Sequence, residues 1–65
     1  MNKMNKATIT NPKNGSVLKI EKDGEYIQVY QYNSDGEQTA HQGKKDKIED
    51  VVKNAEKAGM IVEVE

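Results

Sequence analysis

The sequence predicts a small α+β domain in which a single helix packs on one face of an antiparallel β-meander. Residues 17–32 alternate between apolar and polar side chains and are interrupted by Asp23-Gly24, a dipeptide typical of a tight β-hairpin turn. A stripe of apolar residues at helical spacing follows, and a short apolar segment closes the chain. We therefore expect the order β-β-β-α-β, with the last strand rejoining the sheet.

The chain begins with polar residues that show no periodicity. We expect residues 1–6 to form a flexible N-terminus and residues 7–65 to form one domain. Within that domain, residues 7–10 alternate like a strand that ends at Asn11-Pro12, because proline cannot donate a hydrogen bond to a neighbouring strand. This pattern predicts a short strand at an edge of the sheet, ahead of the meander.

The hairpin assigns side chains to two faces of the sheet. If Asp23-Gly24 forms a two-residue loop, Ile20 pairs with Ile27 and Leu18 pairs with Val29. Successive side chains of a strand point to opposite faces, so these four aliphatic residues share one face and must be buried. The opposite face then carries all three tyrosines of the protein.

The third strand of the meander is predicted at residues 37–42, after a turn at residues 33–36. Its polar composition suggests an exposed edge, and Ala40 is the one residue in it that suits the core. Few apolar residues fix its alignment, so the register of this hairpin is weakly specified.

The helix is predicted between Asp46 and Gly59. Asp46 suits the N-cap, Glu49 completes a variant of the capping box, and Gly59 suits the position that follows a helix. The apolar stripe between them consists of Ile48, Val51, Val52, Ala55 and Ala58. The last strand follows at residues 60–64, with Met60, Val62 and Val64 on one face and Ile61, Glu63 and Glu65 on the other.

Composition argues against catalysis and cofactor chemistry. A chain of 65 residues buries only about 60% of its unfolded surface, which leaves little room for a deep active-site cleft. The absence of cysteine excludes disulfides and thiolate metal sites, and a single histidine, His41, excludes a multi-histidine site. We predict a non-enzymatic protein with no cofactor, no metal and no small-molecule substrate.

Two acidic segments resemble metal sites but have simpler explanations. Carboxylates at Asp46, Glu49 and Asp50 are accounted for by capping and by the helix dipole. The turn at residues 33–36 fails the calcium-loop pattern, because Gln31 and Gln42 stand where that pattern requires acids.

Charge and hydropathy bear on compartment and origin. The basic residues are ten lysines and no arginine, in a chain of net charge −1. No apolar stretch reaches the about 18 residues of a membrane span, and with no cysteine present we expect a cytoplasmic protein without a membrane partner. Richness in Lys, Asn and Ile suggests an AT-rich genome, such as that of a low-GC bacterium or its phages.

The tyrosine-bearing face is the candidate functional surface. Tyrosine rings on an open sheet anchor protein interfaces and also stack on nucleic-acid bases. Tyrosine is also a good strand former, so the sequence leaves open a purely structural role. The predicted partner-binding residues are Lys19, Tyr26, Gln28, Tyr30, Tyr32 and His41.

These observations favour a small regulatory or inhibitory protein of phage or mobile-element type. It would bind a protein partner, or a second copy of itself as a homodimer, through the tyrosine face or a sheet edge. The alternative is a nucleic-acid-binding module that stacks bases on the tyrosines while lysines neutralise phosphates. The lack of arginine counts against that alternative, because arginine is the usual side chain for reading guanine.

Overall fold

The computed structural model describes residues 5–65 and shows the predicted α+β domain. Residues 1–4 of the expected flexible N-terminus lie outside the described residues, and the first strand begins at Lys6. The elements are β1 (Lys6–Thr10), β2 (Val17–Asp23), β3 (Tyr26–Tyr32), β4 (Gln38–Lys44), α1 (Ile48–Lys57) and β5 (Ile61–Val64). In the described part of the chain, no helix is long and apolar enough to cross a membrane.

The five strands form one sheet in the order β4-β3-β2-β1-β5, and every neighbouring pair is antiparallel. The prediction of β1 as an edge strand is wrong, since it lies between β2 and β5. Ala7 and Ile9 are each only 3% exposed, and apolar side chains are buried most completely in an interior strand. Pro12 lies beyond the end of β1, so its missing N–H costs the sheet no hydrogen bond.

The β2–β3 turn is displaced by one residue from the predicted loop. Gly24 and Glu25 form the loop, Asp23 pairs with Tyr26, and Ile20 pairs with Val29 rather than with Ile27. Gly24 has φ +63°, and among residues 5–65 only glycines have positive φ, so Glu25 does not. A type II′ turn places a glycine first in this way, whereas a type I′ turn at Asp23-Gly24 requires positive φ at both residues. The strand register therefore shifts by two residues, which leaves every side chain on its predicted face.

The core lies between α1 and one face of the sheet. Its buried members are Ala7, Ile9, Ile20, Ile27, Val29, Ile48 and Val52. Leu18, Val51, Ala55, Met60 and Val62 pack against them and are partly buried. The predicted core residues of the hairpin and most of the helical stripe are therefore confirmed.

Two predicted core residues, Ala40 and Ala58, are exposed instead, and so is Val64. Ala58 follows the last helical residue, and Val64, 49% exposed, ends an edge strand. Ala40 lies on the outermost strand β4 and pairs with Gln31 of β3. α1 packs on β1, β2 and β5, toward the opposite edge of the sheet. A single helix of ten residues is too narrow to cover all five strands.

The two ends of α1 differ in how well the sequence predicts them. The N-cap is Lys47 and makes no side-chain capping bond, while Asp46 Oδ1 accepts the N–H of Lys47 at 2.9 Å. The predicted capping box is therefore wrong, because the aspartate hydrogen-bonds its immediate neighbour. At the other end, Gly59 at φ +84° completes a Schellman motif, in which Met60 N–H donates to Ala55 O at 3.0 Å.

Replacing Gly24 with alanine should destabilise the fold by about 1 kcal/mol or more, because positive φ is unfavourable for a residue with a Cβ atom. The matched control is Gly43→Ala in β4, where a Cβ atom would meet Gln28 at an ordinary 3.5 Å. Thermal unfolding should show a melting temperature about 4–8 °C lower for the first variant. Equal melting temperatures for the two variants would contradict the type II′ turn.

The core assignment predicts a contrast between two isoleucines. Ile20→Val should cost about 1 kcal/mol, because Ile20 is 2% exposed and the lost methyl group leaves a cavity. Ile61→Val should change stability by no more than about 0.5 kcal/mol, because Ile61 is 55% exposed. Urea denaturation of both variants measures the difference, and a larger cost at Ile61 would overturn the assignment.

Candidate functional site

The candidate site is the face of the sheet opposite α1, which we call the open face. Its side chains follow from the strand register and the alternation of each strand. They are Lys6, Thr8 and Thr10 of β1, Val17, Lys19, Glu21 and Asp23 of β2, Tyr26, Gln28, Tyr30 and Tyr32 of β3, His41 and Gly43 of β4, and Ile61 and Glu63 of β5. All six residues predicted from the sequence as partner-binding lie on this face.

An aromatic stack joins β3 and the outermost strand β4 on the open face. Tyr30 pairs directly with His41, and their ring centroids lie 4.3 Å apart with an interplanar angle of 10°. On the other side of Tyr30 stands Lys19, whose Nζ lies 5.3 Å from the centroid of the Tyr32 ring. These contacts hold the side chains of three adjacent strands in one arrangement.

A short chain of hydrogen bonds orients the imidazole of His41. His41 Nε2 lies 2.8 Å from Oε1 of Gln28, and Gln28 Nε2 donates to Asp23 Oδ2 at 3.3 Å. Because an amide oxygen only accepts hydrogen bonds, Nε2 of His41 carries the hydrogen. Gln28 thus bridges His41 and Asp23 and holds the imidazole ring of His41 against Tyr30.

An apolar row crosses the open face beside the stack. The register aligns Tyr32, Val17, Thr10 and Ile61 on four successive strands. Tyr32 and Val17 are half-buried, whereas Ile61 is 55% exposed, so the row ends in an uncovered aliphatic side chain. Tyr26, at the hairpin end of the face, is 50% exposed.

Ile61 is the exposed aliphatic residue of this face that the six predicted partner-binding residues do not include. The alternation that buries Met60 and Val62 also turns Ile61 to the opposite face, and this alternation is visible in the sequence. Its place beside the tyrosines depends on the pairing of β5 with β1, which is a contact between distant parts of the sequence.

The charges of the open face nearly cancel. Its strands place two lysines, Lys6 and Lys19, against three acids, Glu21, Asp23 and Glu63, which gives 2 − 3 = −1. Within residues 5–65, no three histidine or carboxylate side chains converge as a metal site would require. The surface thus combines aromatic and aliphatic side chains with charged side chains of both signs, three of them on the middle strand β2.

Comparisons of the chain with models of protein families, with curated proteins and with solved structures found no match.

The stack predicts a measurable coupling between its two residues. In a double-mutant cycle, Tyr30→Ala and His41→Ala should show an interaction free energy of about 0.5–1 kcal/mol, because either change removes the same ring contact. As a control, Tyr26→Ala and His41→Ala should be additive, since Tyr26 pairs with Asp23 at the far end of the strand. Additivity in both cycles would contradict the stacked arrangement.

Proposed function

We propose that this protein is a non-enzymatic regulator or inhibitor that binds a protein partner through the open face. The observation that carries the proposal is the distribution of aromatic residues. All three tyrosines of the chain lie on the one sheet face that α1 leaves uncovered, together with the exposed Ile61. Grouped aromatic and aliphatic side chains on an exposed face are typical of an interaction surface.

The local contacts make the tyrosines suitable anchors. A tyrosine has few rotatable bonds, so it presents a large amphipathic surface at low entropic cost when a partner binds. The stack with His41 and the ammonium of Lys19 near the Tyr32 ring restrict two of the rings before binding. Preorganised side chains on paired strands reduce the ordering cost of association.

The charges of the face also suit a protein partner. Lys19, Glu21 and Asp23 of β2 lie beside the tyrosines of β3 and are exposed. Charged groups of both signs next to aromatic anchors select a partner with the complementary order of charges.

The same observations count against the nucleic-acid alternative. Base stacking needs a free ring face, and one face of Tyr30 is covered by His41. A charge sum of −1 over the strands of the open face repels phosphates, whereas nucleic-acid-binding surfaces are strongly basic.

The proposal predicts that removing two tyrosine rings of the open face abolishes partner binding without unfolding the protein. The tagged double variant Tyr26→Ser/Tyr32→Ser should capture its specific partner from an extract of the source cells at least about tenfold less than the unmodified protein, because the anchors are lost. The matched control, Lys53→Ser/Glu56→Ser on the exposed side of α1, should capture it at the original level.

Circular dichroism of each variant confirms that the fold is kept. Equal capture by the open-face variant, or loss of capture only in the helix variant, would contradict the proposal. Capture that disappears after nuclease treatment would favour the nucleic-acid alternative.

A further inference from the structure

The outermost strand β4 is an exposed edge with few of the features that normally prevent strand pairing. All seven of its residues are exposed, and residues 38–43 contain no proline, lysine, aspartate or glutamate. Edge strands are usually protected by charged side chains, proline or short length, because their unpaired backbone groups otherwise recruit another strand. We propose that β4 pairs in antiparallel orientation with β4 of a second copy of this chain.

The opposite edge of the sheet differs in both length and charge. β5 has only four residues, and the acidic Glu63 and Glu65 lie in or directly after it. Two copies joined at β5 would bring these carboxylates close together. The contrast between the edges selects β4 as the surface for self-association.

The flanks of β4 are complementary to themselves in one orientation. Glu37 precedes the uncharged run, and Lys44 and Lys45 follow it. An antiparallel pair centred on His41 places Glu37 of each copy opposite Lys45 of the other, at both ends of the new ladder. A parallel pair in register would instead oppose glutamate to glutamate and lysine to lysine.

The backbone of β4 is regular around the proposed two-fold axis. Residues 40–44 pair one-for-one with residues 27–31 of β3, whereas Thr39, nearer the start of β4, is an extra residue without a pairing position on β3. Because α1 packs on β1, β2 and β5, the helix leaves the β4 edge accessible in the plane of the sheet. The resulting sheet has ten strands, with both helices on one side.

This arrangement fixes which side chains meet across the two-fold axis. On the helix side of the sheet, Ala40 of each copy lies opposite Gln42 of the other. Neither residue belongs to the open face, so substitutions there test self-association separately from the proposed function.

Charge-paired variants at these two positions test the proposal. Sedimentation from about 10 µM to about 1 mM should show that the unmodified chain dimerises. Ala40→Lys/Gln42→Lys should weaken dimerisation about tenfold, because two lysine pairs oppose each other across the axis. Ala40→Lys/Gln42→Glu should dimerise at least as well as the unmodified chain, because each lysine then faces a glutamate.

Each outcome decides the proposal. A chain that stays monomeric over this range, or two variants that are weakened equally, would overturn it. A dilution series followed by amide NMR gives an independent result, since concentration-dependent shifts should be confined to β4 and its flanks. Shifts confined to the tyrosines of the open face would instead indicate face-to-face association and would also overturn the β4 pairing.

Discussion

The structure depends on burying one row of aliphatic side chains in the β2–β3 hairpin beneath a single short helix. Ile20 and Val29 pair across the two strands and pack in the same core as Ile48 of α1. Because side chains alternate along a strand, burying this row turns every tyrosine of β3 to the other face. One helix cannot cover both faces of a sheet, so the open face follows directly from the core.

This constraint explains which features could be predicted from the sequence. The faces of β2 and β3 were predicted correctly although the turn was misplaced, because a shift of two residues in register preserves each side chain's face. The central position of β1 was not predictable from local pattern, since it depends on the distant pairing of Ala7 with Val64 and Ile20. The prediction of Asp46 as the N-cap is wrong, because its carboxylate accepts a hydrogen bond from the backbone N–H of Lys47 instead.

The candidate site is likewise predictable from the sequence only in part. Alternation alone placed Lys19, Tyr30 and their neighbours on one face, but the stack of Tyr30 on His41 requires the β3–β4 register, which few apolar residues specify. The bridge through Gln28 also depends on that register. Ile61 completes the apolar row only through long-range pairing. The local sequence therefore predicts which residues lie on the open face better than it predicts the contacts between them.

The most direct test of protein recognition by the open face uses the fact that the chain has three tyrosines, all on that face. Replacing them with 3-fluorotyrosine gives ¹⁹F NMR signals from Tyr26, Tyr30 and Tyr32 alone. In an extract of the source cells, we expect broadened or shifted signals that persist after nuclease treatment and that sharpen when the unlabelled protein is added in excess as a competitor. Three sharp, unshifted signals, or an effect that nuclease removes, would contradict it.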